Sequence, residues 1–92
     1  MELSEFLTKF KEQYSDSKLI TLNEDDDFRD IDSYDSLTGM AILIMIKDNF
    51  NIDIKDEDYK KLHTVREVFN YIQNIKHLVV WKVMYLMYLH LD

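Results

Sequence analysis

Three sets of side chains in this sequence of 92 residues could do chemistry: the histidines, a run of carboxylates and one serine. His63, His77 and His90 are 14 and 13 residues apart, so no pair has the i, i+4 spacing of a helical metal site. The acidic run "NEDDDFRDID" at 23–32 lacks the glycine and the glutamate that an EF-hand loop needs at its sixth and twelfth positions. Neither set predicts a metal site, which leaves the serine.

Ser36 stands between that acidic run and a dense apolar segment, in the stretch "DIDSYDSLTGMAILIMI". One reading is a helix cap, because serine and aspartate are common caps. The other is attachment of a phosphate ester, because a helix N-terminus offers free N–H groups and the positive end of the helix dipole. Ser36 has no base beside it in sequence, so its hydroxyl would be a substrate and not a catalyst. A triad with His63 lacks any nucleophile-elbow or glycine-rich oxyanion pattern.

Composition excludes several further classes of function. The chain has no cysteine, so it cannot form a disulfide, a thiolate metal site or a thioester from its own side chains. Its formal net charge of −7 argues against nucleic acid and anionic membranes and favours partners with basic patches. The acidic N-terminus lacks the basic flank and apolar core of a signal peptide. We therefore expect a cytoplasmic protein.

The elements that must position Ser36 are predicted to be helical. One glycine and no proline disfavour tight hairpins. Steps of three and four predict a first helix over 2–14 with one apolar face: Leu3, Phe6, Leu7, Phe10 and Tyr14. A long polar connection over 15–35 follows, and we expect Phe28 and Ile31 to pin it to the core.

The second helix is predicted over 36–50, with Asp35 or Ser36 as its cap. Its apolar surface is wider than one stripe: Leu37, Met40, Ala41, Leu43, Ile44, Ile46 and Phe50.

Two more helices complete the predicted bundle. Asp56 is expected to cap a short third helix that runs through Tyr59 to about Leu62. Thr64 and Glu67 have the spacing of a capping box at the start of the fourth helix. The predicted buried face of that helix is Val65, Val68, Phe69 and Ile72.

The segment 78–91 differs from the rest, because only Lys82 and His90 are polar. It is too short and too interrupted to span a membrane, and a helix that is apolar all round must be covered on several sides. It could pack on the domain's own core, mediate self-association or be a divergent gene end, and we expect packing or a dimer. One long helix from Thr64 towards His90 also fits. Its two apolar sides are Leu78, Trp81, Tyr85 and Tyr88, and Val80, Met84, Met87 and Leu91.

Taken together, these segments resemble the acyl carrier protein family over residues 2–75. The resemblance is carried by Asp35-Ser36-Leu37, by the apolar helix after it, and by "FNIDIKDEDYKKLHTV" and "VFNYI". The run Phe28-Arg29-Asp30-Ile31 is similar to the loop that precedes the serine in many carriers. The resemblance implies an all-α, small four-helix bundle over 1–75, and we expect 76–92 to form an extra apolar helical extension.

The resemblance also implies a role for Ser36. In the family, the equivalent serine receives 4′-phosphopantetheine from coenzyme A, delivered by a separate phosphopantetheinyl transferase with magnesium. The thiol of this arm then holds acyl or aminoacyl groups as thioesters between a loading enzyme and a downstream synthase or transferase. Such a protein is a carrier and not an enzyme. By the same resemblance, Asp35 contacts the transferase, and Leu37 is partly buried and also recognised by it.

The charge pattern departs in part from that of typical fatty-acid carriers. Seven acids lie between Glu24 and Asp35 against one arginine, which suits basic partners. The second helix is less acidic than usual, and Met40 and Ile44 are expected on its partner-facing side. We therefore expect a more apolar docking surface and a dedicated pathway.

Two alternatives remain open. The chain could be a carrier-like interaction module that is never modified. Within the bundle, the predicted core between the second and fourth helices could shelter an acyl chain or simply pack: Leu43, Ile46, Val68, Phe69 and Ile72.

Overall fold

The computed structural model describes residues 1–89, and of Val79 and Val80 only the backbone. Within this range the fold is all-α, as predicted. The helices are α1 (Leu3–Lys11), α2 (Ser36–Phe50), α3 (Asp56–Tyr59) and α4 (Val65–Leu89), and a 3-10 turn spans Phe28–Asp30.

The apolar face of α1 forms one wall of the core. Phe6 and Phe10 are fully buried and meet edge to face, with ring centroids 5.8 Å apart. Leu3 and Leu7 are partly buried against the same cluster. The helix ends at Lys11, earlier than the predicted residue 14, because tight i to i+3 hydrogen bonds replace the α-helical pattern there. Tyr14 nevertheless stays in the core, only 2% exposed.

The inward face of α2 differs from the face that the sequence predicts. The fully buried side chains of α2 include Ile42 and Ile46, with Met45 beside them. Leu43 and Phe50 are partly buried, whereas Ile42 and Met45 were not among the predicted apolar residues. Ile46, Val68 and Ile72 pack together in the core. The sheltering of an acyl chain at these residues stays a prediction.

Gly39 allows α2 to lie close to two tyrosines. A Cβ at this position would come within 2.7 Å of the Tyr34 hydroxyl oxygen. That oxygen lies 2.9 Å from the hydroxyl oxygen of Tyr59, so one tyrosine donates a hydrogen bond to the other. Burial, followed by this hydrogen bond, raises the pKa of Tyr59. The Tyr59 hydroxyl therefore stays protonated, and the hydrogen bond joins the segment just before α2 to α3.

The predicted cap and end of α3 are wrong. Lys55 occupies the capping position without a side-chain hydrogen bond, and Asp56 is already the first helical residue. The helix ends at Tyr59, before the predicted Leu62, because turns take over after one helical turn. Four residues do not form a stable helix alone, so α3 depends on its tertiary contacts.

The capping box at the start of α4 is confirmed. The Thr64 Oγ1 accepts a hydrogen bond from the Glu67 N–H at 3.1 Å. The Glu67 carboxylate in turn accepts from the Thr64 N–H at 3.2 Å. Val65, Val68 and Ile72 are fully buried as predicted, and Phe69 is partly buried.

The connection over 15–35 is pinned to the core as predicted. Phe28 is fully buried, and its ring packs against those of Phe10, Tyr34 and Tyr59. The Tyr14 hydroxyl donates to the Phe28 carbonyl oxygen. Ile31 is partly buried against the same cluster.

Arg29 joins this connection to the end of α3. Its guanidinium donates to the carbonyl oxygens of Leu62 and Tyr59, the latter at 2.6 Å. It also stacks on two rings, with its Cζ 4.7 Å from the centroid of Phe28 and 4.6 Å from that of Tyr59. This single side chain therefore holds two segments about 30 residues apart in the chain.

Beyond the bundle, α4 continues without a break as one long helix to Leu89. We call residues 78–89 the α4 extension. The prediction that this segment packs on the domain's own core is wrong, because its large side chains with described exposure are 47–72% exposed. The long-helix alternative is confirmed as far as Leu89. The predicted roles of the Val80 side chain and of His90 and Leu91 lie outside the described residues.

Candidate functional site

Ser36 is exposed and is the first residue of α2. The cap of this helix is the residue before it: the Asp35 Oδ1 accepts from the Thr38 N–H at 2.9 Å and from the Thr38 hydroxyl at 3.1 Å. Within residues 1–89, the Ser36 hydroxyl makes no side-chain hydrogen bond. Of the two predicted caps, Asp35 is confirmed, and the Ser36 hydroxyl is not needed to cap the helix.

The Asp35 carboxylate stays ionised beside Ser36. Hydrogen bonds from the Thr38 backbone N–H, then from the Thr38 hydroxyl, hold the pKa of Asp35 below its ordinary value of 3.8. A phosphate ester on Ser36 would lie against the remaining N–H groups and the dipole of this helix terminus. The residues present therefore fit a phosphate ester at this position.

Replacing Asp35 with asparagine is expected to reduce the acid sensitivity of the fold. A pKa lowered by folding adds stability above the unfolded pKa, and this stability is lost as pH falls through the folded pKa. Asparagine keeps a capping oxygen but does not titrate. Melting curves from about pH 6 to about pH 2 should therefore show a Tm advantage of the wild type that shrinks with acidification. Parallel curves for the two proteins would contradict this prediction.

Three apolar side chains after Ser36 face solvent, and we call them the α2 outer face: Leu37, Met40 and Ile44. Their exposed fractions are 72%, 59% and 57%. The prediction that Leu37 is partly buried is therefore wrong, because its first-turn position points away from the bundle. The exposure of Met40 and Ile44 agrees with the predicted orientation. Residues three and four apart share one face of a helix, so the three form one continuous apolar strip.

A groove between α1 and α2 lies beside this strip. Its volume is about 350 Å³, and its apolar part is formed by Ala41, Ile44 and Met45. Its polar residues are Lys9, Glu12, Gln13, Asp48 and Asn49. Sequence reasoning did not find this groove, because its two walls are about 30 residues apart in the chain.

Several acidic side chains in the connection before Ser36 are held by ion pairs or hydrogen bonds, which the sequence alone does not show. Arg66 pairs with Asp25 at 2.7 Å and lies 3.6 Å from a Glu24 carboxylate oxygen. Asp27 lies 3.7 Å from His63 and accepts from the Arg29 N–H. In contrast, Asp30 and Asp32 are exposed and have no ion-pair partner in the part of the chain that the structure describes. Asp26 likewise has no ion-pair partner among residues 1–89, so the unpaired negative charge is spread over 26–35, up to the residue before Ser36.

Residues 1–89 contain neither a metal-binding cluster nor a membrane-spanning helix. No group of three or more histidine, aspartate or glutamate side chains there is arranged to hold a metal ion. None of the helices in that range combines the length and the hydropathy needed to cross a bilayer.

A small helical bundle with an exposed serine at the start of its second helix is the arrangement that the resemblance to acyl carrier proteins implies. Comparison with family models matches residues 6–72 to a family described as "Phosphopantetheine attachment site". The chain belongs to this family, which includes the acyl carrier proteins. The family's cofactor is 4′-phosphopantetheine, held covalently, and its acyl carrier members are carriers and not enzymes.

Two curated relatives are acyl carrier proteins. That of Buchnera aphidicola subsp. Schizaphis graminum (strain Sg) is 43% identical over 47 residues, covering 51% of this chain and 60% of the relative. That of Thermobifida fusca (strain YX) is 44% identical over 39 residues, covering 42% and 49%. The chain thus spans about half to three-fifths of the length of these relatives. No solved structure matches it.

Proposed function

We propose that Ser36 carries the 4′-phosphopantetheine arm and that the chain is a free-standing acyl carrier protein. The observation that supports this most is that one residue at the start of α2 caps the helix while its neighbour presents an exposed hydroxyl. Asp35 caps the helix, so the neighbouring hydroxyl is exposed and unbonded within the described part. A hydroxyl used for capping would hold one of its two oxygen lone pairs in a hydrogen bond and would therefore be a poorer nucleophile for the attachment.

The attachment is a phosphoryl transfer that leaves the fold unchanged. The Ser36 Oγ would form a bond to the phosphorus of the phosphopantetheine moiety of coenzyme A, losing its proton, while the bond to the adenosine bisphosphate leaving group breaks. Within residues 1–89 no base contacts the Ser36 hydroxyl, so a separate phosphopantetheinyl transferase must supply the catalysis. The arm brings the thiol that this cysteine-free chain lacks.

The partners in this proposal are the transferase, an acyl- or aminoacyl-loading enzyme and a downstream synthase or transferase. The cargo would pass between enzymes of fatty-acid, polyketide or other specialised biosynthesis in the cytoplasm. Asp35 and the α2 outer face would contact these enzymes. Because that face is apolar rather than acidic, a dedicated pathway suits it better than standard fatty-acid synthesis.

The direct test is incubation with coenzyme A, magnesium and a broad-specificity phosphopantetheinyl transferase, followed by intact-mass measurement. The wild type should gain the mass of one arm, and Ser36→Ala should gain none. A matched control is Ser17→Ala, a serine in the turn after α1 whose loss should leave the modification complete. A wild-type chain that stays unmodified would favour the alternative of an interaction module that binds partners through its exposed apolar surfaces.

A further inference from the structure

The α4 extension carries more exposed large apolar side chains than the rest of the described chain. Nine large apolar side chains between Leu78 and Leu89 are 47–72% exposed. A helix with apolar side chains all round is stable in water only when other surfaces cover it. The question is which surface covers this one.

The spacing of Leu78 and three exposed aromatic side chains indicates which surface covers the extension. Leu78, Trp81, Tyr85 and Tyr88 are separated by three, four and three residues, which is the a/d spacing of a coiled coil. Their exposed fractions lie between 60% and 72%. We call these four the seam. We propose that the seam packs against the same seam of a second copy of this chain, in an antiparallel pair.

The available area is sufficient for such a pair. A large aromatic side chain buries about 150–250 Å², so four seam residues that are about two-thirds exposed offer roughly 500 Å² per copy. Two copies would remove about 1,000 Å² from water, the lower limit for a specific interface. Tryptophan and tyrosine are also the side chains that most often anchor interfaces. The seam alone is therefore large enough to support a weak, specific dimer.

The distribution of charge decides the orientation of the pair. Among residues 1–89 every acid lies at or before Glu67, and the only charged side chains from there to Leu89 are Lys76 and Lys82. A parallel pair would place two acidic bundles side by side. An antiparallel pair separates them by the length of the extension, about 18 Å for twelve residues. This exceeds the Debye length of about 8 Å at physiological salt, so repulsion between the bundles is screened.

A lipid surface fits the extension less well. A helix that lies at a membrane interface has one apolar and one strongly polar face. Lys82 is the only polar side chain between Leu78 and Leu89 apart from the tyrosine hydroxyls. The acidic bundle would also be repelled by anionic lipids. A second copy offers an apolar surface of matching shape without this repulsion.

The test uses the full chain and its single tryptophan, which lies in the seam. Sedimentation velocity from about 1 µM to about 100 µM should show a weak monomer–dimer equilibrium, since interfaces of about 1,000 Å² are typical of weak association. The fluorescence of Trp81 should shift to shorter wavelength over the same range. Tyr85→Glu should weaken dimerisation at least about 100-fold, because each pair would bury two unpaired carboxylates.

Val83→Glu is the matched control. Val83 is 50% exposed on the same helix but points about 160° away from Tyr85. This variant should dimerise within about threefold of the wild type, since surface changes away from a contact have small effects. A monomeric wild type, or equal weakening by both variants, would overturn the pairing. Binding to neutral phosphatidylcholine vesicles without self-association would overturn it in favour of lipid. A strong increase in dimerisation with salt would overturn the antiparallel orientation.

Discussion

Replacing Leu37 with alanine is expected to lower the kcat/KM of the transferase for this protein about 10- to 100-fold. Leu37 adjoins Ser36 and is 72% exposed, so under our proposal it is a contact that the transferase makes while it acts on the hydroxyl. Removing one anchoring apolar side chain from an interface costs about 1.4–2.8 kcal/mol. The Ser36 hydroxyl and the Asp35 cap are unaltered, so the Tm should stay within about 2 °C of that of the wild type.

Leu19→Ala is the control for this prediction. Leu19 is 86% exposed in the turn region after α1, so the same atoms are removed from an equally accessible leucine. Initial rates of modification, followed by intact mass, should match those of the wild type. Equal rates for Leu37→Ala and Leu19→Ala would remove Leu37 from the proposed docking surface without affecting the assignment of Ser36.

Phe28→Ala is expected to destabilise the fold by about 3–5 kcal/mol. Phe28 is fully buried and contacts three aromatic rings and the Arg29 guanidinium. A small domain has about 5–15 kcal/mol of stability in total. The Tm should therefore fall by at least about 12 °C, as measured by circular dichroism or calorimetry.

Two further variants serve as controls for the loss of stability in Phe28→Ala. Phe28→Leu keeps much of the buried volume and should lose clearly less stability than the alanine variant. Leu19→Ala, in the same connection, should change the free energy of unfolding by less than about 0.5 kcal/mol. Similar losses for Phe28→Ala and Leu19→Ala would mean that the connection is not pinned by Phe28.

Local patterns predicted the parts of the fold that depend on local interactions. The steps of three and four in α1 identified Phe6 and Phe10 as core residues. Glu67 lies three residues after Thr64, and this spacing identified the cap of α4. The attachment role of Ser36 did not follow from local pattern alone: the junction of a polar and an apolar run allowed a cap or a phosphate ester, and the resemblance to acyl carrier proteins favoured the second.

The inward face of α2 could not be predicted in the same way. Every residue from Met40 to Ile46 is apolar, so hydrophobic periodicity does not distinguish the buried Ile42 from the exposed Ile44. The distinction comes from tertiary contacts of α2 with α1 and from the shared buried cluster that Ile42 enters and Ile44 does not. The exposure of Leu37 and the groove beside α1 depend on the same packing and were missed for the same reason.

The α4 extension shows a different limit of sequence reasoning. The absence of glycine and proline after Ile72 correctly allowed one continuous helix. Whether that helix folds back depends on a turn that the sequence does not contain. The expectation that apolar residues must be covered allowed either intramolecular packing or a dimer, and the exposure of residues 78–89 contradicts only the first.

The hydrogen bonds of Arg29 couple the local unfolding of α3 to that of the 3-10 turn. Its guanidinium binds carbonyl oxygens at the end of α3, and the Phe28 N–H donates to the His63 carbonyl oxygen. Separation of α3 from the bundle would leave the Arg29 guanidinium without its hydrogen-bond acceptors. Release of the 3-10 turn would leave the carbonyl oxygens of Tyr59, Leu62 and His63 without these donors. We therefore expect the two segments to open as one cooperative unit, with their amide hydrogens exchanging with solvent together.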